Sequence, residues 1–403
     1  MDLTIAGVDA YEVTIPIEAP LRHSYGVHEA FTRTIVEVRT SGGIVGLGET
    51  SASAAAVRAA GEAIVGLDAL DLGPVRMRIS QRFYWSQDPL VVSAIEMALI
   101  DIHGKALDVP AYRLLGGRHR ESVPLAAYCF FRYASPDGAY PQVATPREMA
   151  AHAKDLVDRY GFGTVKLKAG VLDPAIEIDA LREIRALMPE VRLRIDPNGA
   201  WTVETAIGLL PALEEIGLEY LEDPSPGRSA MARVRSRTRL PLSTNMCVVD
   251  FSDLPAALAQ ESIDVVLSDP WYWGGPTRTQ VLADLCHTFG LGVGMHSGIE
   301  LGIGMAVMAH TAVTIPNLTL AVDAHYHHLR ADVVLGERLL PKDASGTIRP
   351  PEGPGWGVEL DPDAVAEFRA LHDAGTHANL YVQGSSGGPD ARRPGWYPVM
   401  PSW

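Results

Sequence analysis

Apolar and polar residues change rhythm twice along the chain. The first stretch, "MDLTIAGVDAYEVTIPIEAP", alternates in strand fashion. "RTIVEVRT", the turn "SGG" and "IVGLGET" predict an antiparallel hairpin. Two helical stretches follow, "SAAAVRAAGEAIVG" and "LVVSAIEMALIDIHGKAL". From about Val123 short apolar strands alternate with amphipathic helices. "TVKLKA" precedes "DPAIEIDALREIRALM", where Asp173 can cap, Pro174 takes the first helical position, and Ile178, Leu181, Ile184 and Met188 form the apolar stripe. "VRLRID", "LEYLED", "LPLSTN", "DVVLSD" and "LGVGMHS" are further strands. "TRTQVLADLCHTFG" carries a capping-box pattern from Thr277 to Gln280, with Gly290 as its stop. After about residue 340 the chain is rich in Pro, Gly and Ser. It then forms one short helix, "DAVAEFRALHDAG", and ends in "QGSSGGPDARRPGWYPVMPSW", an extended segment whose aromatic residues either pack on another domain or belong to a partly disordered tail.

Strand–helix alternation at this period means parallel β with crossover helices. The length favours a closed barrel over an open sheet. The glycines of "GLGVGMHSGIELGIGMA" have the wrong spacing for a dinucleotide fingerprint, and close helix packing explains them.

The predicted strands end in chemistry. Lys166 and Lys168 are followed by Asp196, Glu222, Asn245, Asp269 and His296, at spacings of 28, 26, 23, 24 and 27 residues from Lys168 onward. Each spacing is one strand–helix unit, so all these side chains reach one rim of one barrel, the end where such folds place their sites. Alone, any of them reads as a cap or a turn residue. Five consecutive units are harder to dismiss. Asp196, Glu222 and Asn245 are hard oxygen donors on successive strands, a set that suits Mg²⁺. His325, His327 and His328 invite a zinc reading, but alternation favours one ring facing the pocket and the others structural.

Composition narrows the partners. The chain has 403 residues, 47% of them hydrophobic, and a formal net charge of −15. That balance argues against nucleic acid or an anionic membrane surface. An anionic substrate then needs local help from lysine, histidine or metal. No signal peptide and no run of about 18 apolar residues is evident. Three scattered cysteines, Cys129, Cys247 and Cys286, imply neither a disulfide frame nor a zinc site. A cytoplasmic protein is expected.

"KLK" (166–168), "RIDPNGAW" (194–201), "LEDP" (221–224), "STNM" (243–246), "SDP" (268–270) and "HSG" (296–298) resemble the enolase superfamily, in its mandelate racemase-like branch. The glucarate dehydratase subgroup is the most similar, because Asn245 stands in a "TNM" context where most of the branch has glutamate. "SYGVHEAFTRTIVEV" and "GWGVELDPDAV" extend the resemblance over nearly the whole chain.

The resemblance implies a modified (β/α)7β TIM-like barrel (residues 123–340) under an α+β capping domain (1–122), with the segment 341–403 returning to the cap. It implies Mg²⁺ on Asp196, Glu222 and Asn245. Lys168 is one base and the Asp269–His296 pair the other, on opposite faces of a small carboxylate substrate, with Lys166 beside the carboxylate. Asn198 reaches the substrate or the metal shell. His23, His28, Tyr128 and His325 match substrate-contacting positions. A homo-oligomer is also implied. The expected reaction is dehydration of an acid sugar, by α-proton removal, enediolate formation and loss of the β-hydroxyl. Racemisation or epimerisation on the same two bases is the alternative. A non-catalytic paralogue ranks last because the whole catalytic set is present. Lys166 is expected to lower the pKa of Lys168, since two neighbouring ammonium groups disfavour each other's charge. Three features depart from the subgroup. Gly298 replaces its asparagine, Asp88 stands where a small hydroxyl residue is expected, and "GWYPVMPSW" lacks its basic residues. These leave a monoacid sugar or another hydroxy acid open.

Overall fold

The computed structural model describes residues 1–82, 88–340, 345–375 and 390–403. Parts of two segments discussed above, residues 341–344 and 383–389, lie outside them. Three long antiparallel strands come first: β1 (Ile5–His23), β2 (Gly26–Thr40) and β3 (Val45–Thr50), in the order β1-β2-β3. Helices α1 (Ala54–Ile64), α2 (Leu72–Arg82) and α3 (Pro89–Leu107) pack around a core of Ile5, Val36, Val38, Val57 and Ile95. The α3 backbone lies directly on β3. A Cβ added at Gly48 would sit 2.2 Å from the Ala94 carbonyl oxygen, so glycine is required for this approach. A single turn, α4 (Ala111–Leu114), leads out.

The second part begins with β4 (Val123–Pro124) and continues as seven parallel strands: β5 (Ala126–Phe130), β6 (Thr164–Lys168), β7 (Arg192–Asp196), β8 (Tyr220–Glu222), β9 (Leu242–Thr244), β10 (Val265–Ser268) and β11 (Gly292–Met295), neighbours in sequence order. Helices α5 (Pro146–Tyr160), α6 (Pro174–Leu187), α7 (Val203–Ile216), α8 (Arg228–Arg235), α9 (Leu254–Ala259), α10 (Pro276–Thr288) and α11 (Gly302–Val313) follow them in turn. The sheet curls until residues 318–323 bridge its edges. Asp323 N–H donates to the Met295 carbonyl at the end of β11 at 3.0 Å, and Ala126 N–H of β5 donates to the Val322 carbonyl at 2.9 Å. Seven strand–helix units and this eighth extended segment make a (β/α)7β barrel. All five residues of β6 are buried, as a parallel strand covered on both faces requires. Among the described residues no helix is long and apolar enough to cross a membrane.

Two predicted details need correction. Helix α6 starts as expected, with the Asp173 side chain accepting from Ala175 N–H at 2.9 Å. Helix α10 does not. Its N-cap is Gly275, and Thr277 gives its backbone and hydroxyl hydrogens to buried Glu96 of α3. Gln280 instead donates to the Leu115 carbonyl. A tertiary carboxylate thus replaces the local box. The second detail is the tail. Residues 390–403 are tied by Thr202 N–H to the Trp403 carbonyl (2.6 Å) and by Arg392 to Glu29 (2.6 Å), while Tyr397 stays 69% exposed. Backbone bonds and the Tyr133 hydroxyl, which donates to Asp390 at 2.8 Å, hold it to the barrel, and the ion pair ties it to β2; its own aromatics are not buried.

After the barrel, β12 (Thr347–Ile348) pairs with β4. Trp356 then inserts against α3, donating from Nε1 to the Met97 carbonyl at 3.0 Å. Helix α12 (Pro362–Asp373) lies on β1, with Arg369 4.6 Å above the Tyr11 ring. The far end of the β1–β2 hairpin reaches the barrel mouth, where Arg22 N–H donates to the Phe131 carbonyl at 2.9 Å. Gly48→Ala should therefore destabilise the protein by about 1–3 kcal/mol, the usual cost of overpacking. Urea unfolding of the variant beside the parent checks it.

Candidate active site

Every chemically active side chain at the barrel mouth is placed by a strand end. Lys168 ends β6, Asp196 ends β7 and Glu222 ends β8. Asn245, Asp269 and His296 each come one residue after β9, β10 and β11. In an eight-membered ring β6 and β11 are three steps apart one way and five the other. Lys168 and His296 therefore face each other across the mouth, with the oxygen donors between them.

Lys166 lies one layer deeper than Lys168. Its Nζ is 2.6 Å from Glu222 Oε2, 2.7 Å from Asp323 Oδ2 and 3.5 Å from Asp196 Oδ2. It also sits 4.7 Å above the Tyr128 ring. Lys168 donates to Asp196 Oδ2 and Asn198 Oδ1, both at 2.6 Å. The expected depression of the Lys168 pKa is not what these contacts produce. Burial is the largest single influence and lowers it, as does the Lys166 charge, but Asp196, Tyr128 and Glu222 together more than offset both, and Lys168 is held above the ordinary lysine value. Lys166 is likewise held high: burial opposes its charge, and Asp323 and Glu222 more than offset this. Asp196, buried but between two ammonium groups, is held below the usual carboxylate range. Burial and then the Asp196 charge push Glu222 up.

The oxygen donors have unused capacity. Glu222 Oε1 and Asn245 Oδ1 are buried without a hydrogen-bond partner. Asp223, reached at the positive φ of 35°, takes the Thr244 hydroxyl at 2.6 Å and Asn245 N–H at 2.8 Å, and so shapes the loop that carries Asn245. Its own pKa is pushed up to about 7, chiefly by burial. Among the described residues no three His, Cys, Asp or Glu side chains gather within metal-holding reach, so this donor set depends on Asn245 as its third member. Two carboxylates and an amide fit a hard divalent cation.

His296 Nδ1 is 3.3 Å from Asp269 Oδ2, which leaves its other ring nitrogen for the pocket. Asp269 Oδ1 is fixed in turn by the Trp271 and Tyr272 amides, at 2.8 and 2.6 Å. Lys168, Asn198, Asn245, His296, Gly298 and His325 border one cavity of about 350 Å³. His23 and Tyr128 also line it. His28 lies behind His23, their ring centroids 4.6 Å apart. Burial keeps both rings uncharged, with His28 pushed down to about 3. His325 faces the cavity, while His327 and His328 both lie within hydrogen-bond distance of the Tyr128 carbonyl.

Asp88 is a correction. It does not border the cavity but caps α3, accepting from Leu90 N–H at 2.9 Å. Gly298 has a steric reason, since a Cβ there would lie 2.8 Å from the Trp271 ring. Sequence reasoning missed Arg33, which lines the cavity from β2 and donates to the Gly298 carbonyl. A charged residue inside the apolar β2 stretch "AFTRTIVEV" was the available signal. It also missed Asp323, which sits on the eighth segment, and Asp223, which reads as half of a turn.

A (β/α)7β barrel with paired lysines, an Asp–His pair and three oxygen donors at its mouth is the arrangement of the enolase-like class of enzymes. The chain belongs to the enolase superfamily, in its mandelate racemase-like branch. Residues 148–364 match the family model described as enolase C-terminal domain-like, and residues 5–116 match the mandelate racemase / muconate lactonizing enzyme N-terminal domain. A probable glucarate dehydratase of Streptomyces coelicolor is 38% identical over 100% of this chain and 99% of its own. Muconate cycloisomerase 1 of Rhodococcus opacus is 27% identical over 90% of this chain and 98% of its own. The crystal structure of an enolase from Thermobispora bispora, complexed with magnesium and formate, superposes with a TM-score of 0.93 at 37% identity, covering 100% of both chains.

Removing Lys166 would leave Glu222 and Asp323 facing each other without their shared cation. Lys166→Met should cost about 3–5 kcal/mol of stability, the usual effect of deleting one partner of a buried ion pair. Denaturant unfolding in EDTA measures it without contribution from metal.

Proposed function

We propose that this enzyme is a Mg²⁺-dependent acid-sugar dehydratase, similar in reaction to glucarate dehydratase. One observation carries the reading: Lys168 and the Asp269-oriented His296 face each other as two bases across a cavity whose lining, among the described residues, holds cations and histidines but no carboxylate. The 38% identical relative named a probable glucarate dehydratase supports the substrate class. In this reading residues 1–122 and 341–403 cap the barrel of residues 123–340.

Asp196, Glu222 and Asn245 would hold the Mg²⁺. When bound, it supplies positive charge that stabilises an enediolate and offsets the carboxylates now holding Lys168 protonated.

The chain's own groups do the rest. Lys168 and Asn198 hold the reacting end of the substrate, with Lys166 adding positive charge from beneath. One base takes the proton α to the carboxylate. Protonated His296 gives its proton to the departing β-hydroxyl, which leaves as water. The resulting enol tautomerises to a 2-keto-3-deoxy acid. The β1–β2 hairpin covers one side of the mouth with His23 and Arg33.

Epimerisation is the second reading, favoured by the same opposed pair of bases, since proton return to the other face needs no leaving group. Incubating the enzyme with a panel of acid sugars in D₂O separates the two. Dehydration gives a 2-keto-3-deoxy product that requires Mg²⁺; α-deuteration without loss of water would sink the dehydratase reading. Lys168→Ala and His296→Ala should each lower kcat by about 10²–10⁴-fold, the range for loss of a general acid or base. Each variant should retain exchange with one α epimer only. Mg²⁺ at about 100 times its Kd should stabilise the protein by about 2.7 kcal/mol, and Asn245→Leu should remove most of that gain in a thermal melt.

A further inference from the structure

We infer that Glu300 and Ser297 form a positioning relay that fixes the tautomer of His325, so that this ring presents a hydrogen-bond acceptor to the cavity and selects a substrate hydroxyl there rather than a carboxylate. The ligand's identity rests on the acid-sugar reading; the tautomer rests on geometry alone.

The relay has three members outside the two bases and the oxygen donors. The His325 ring is buried and lines the cavity, and its Nε2 has no partner. Its Nδ1 lies 2.6 Å from Ser297 Oγ. Ser297 Oγ lies 2.6 Å from Glu300 Oε2. The other carboxylate oxygen, Glu300 Oε1, accepts the His325 and Tyr326 amides at 2.7 and 3.3 Å.

Proton counting fixes the direction. Burial raises the Glu300 pKa, opposed by the Ser297 hydroxyl, the backbone amides and the Arg33 charge. As a carboxylate it only accepts, so the single Ser297 hydroxyl proton goes to Glu300. Ser297 then offers only lone pairs to Nδ1, and Nδ1 must carry the hydrogen. A neutral imidazole has one N–H, so Nε2 faces the cavity as a bare acceptor. Burial, with His23, His28 and Lys168 nearby, keeps the ring neutral. A lone pair in that position attracts an O–H and repels a carboxylate oxygen. The carboxylate of the substrate is left to the Lys168 and Asn198 side of the cavity, and a hydroxylated carbon to His325.

Glu300→Gln reverses the relay. The two backbone amides hold the Gln carbonyl oxygen at the Oε1 position, so its NH₂ faces Ser297 and donates. Ser297 must then donate to Nδ1, and the hydrogen moves to Nε2. A purely structural role for Glu300 predicts no such exchange.

The test is ¹⁵N NMR of the full chain labelled at histidine, with the His325 signals assigned by their loss in His325→Gln. The expected result is Nδ1–H in the parent and Nε2–H in Glu300→Gln. Nε2–H or imidazolium in the parent at pH 7 overturns the proposal, even if the variant fails to fold. Ser297→Ala removes the link; an unmixed Nδ1–H ring in it also overturns the relay. Binding uses tartrate, and succinate as its counterpart without hydroxyls, each with Mg²⁺. Tartrate should shift the parent Nε2 resonance and bind Glu300→Gln about tenfold more weakly, with succinate unchanged. Equal loss for both ligands overturns hydroxyl selection. An acid-sugar panel without turnover beside an Nδ1–H ring would end the dehydratase reading and leave the relay standing.

Discussion

The structure turns on six buried charged groups, three basic and three acidic, that are tolerable only together. Lys166 and Lys168 share the barrel interior with Asp196, Glu222 and Asp323, all buried. Each charge taken singly from water would cost several kcal/mol. The geometry offsets this by contact: Lys166 touches Glu222 and Asp323, Lys168 touches Asp196, and Arg194 closes the lower side on Asp323 at 3.1 Å. The β-ladder supplies the precision, pairing Lys166 with Arg194 and Lys168 with Asp196 across β6 and β7. A one-residue slip would turn these charges outward into the apolar helix layer. The network therefore pins the register, and the register in turn places Lys168 at the barrel mouth.

That dependence explains what was legible in the sequence. Strand ends recur at one period, so Lys168, Asp196, Glu222, Asn245, Asp269 and His296 were found from spacing alone. The barrel was legible for the same reason. Residues outside the period were not. Asp323 sits on a segment joined by isolated bridges rather than a patterned strand, and Arg33 arrives from a hairpin more than 130 residues away in sequence from Lys168. Glu300 reads as a helix-approach residue until the fold brings His325 onto it.

The two local misreadings share a cause. Thr277 was read with its sequence neighbour Gln280, yet Glu96 from another part of the chain takes its hydrogens. Lys168 was read with Lys166, yet the acids across the strands decide its charge. Sequence proximity names the partners a residue meets in an isolated element. Parallel packing supplies nearer ones, and for charges in a dry interior the nearest counter-charge outweighs a like charge along the strand.

Gly298 shows how the same packing reshapes the cavity. Trp271 occupies the space a side chain at 298 would need, and Arg33 takes the exposed Gly298 carbonyl. The amide that the subgroup carries there is thus exchanged for a ring and a guanidinium. Asp269 links this change to the chemistry, since its Oδ1 fixes the Trp271 amide while its Oδ2 faces His296. One carboxylate both contacts the His296 ring and seats the ring that keeps position 298 small. The result is a cationic chamber in a chain of net charge −15, in which the field is concentrated where an anion would react. Under the proposed function, selectivity among acids rests on the neutral groups of that chamber, because Arg33 and Lys168 attract every carboxylate alike.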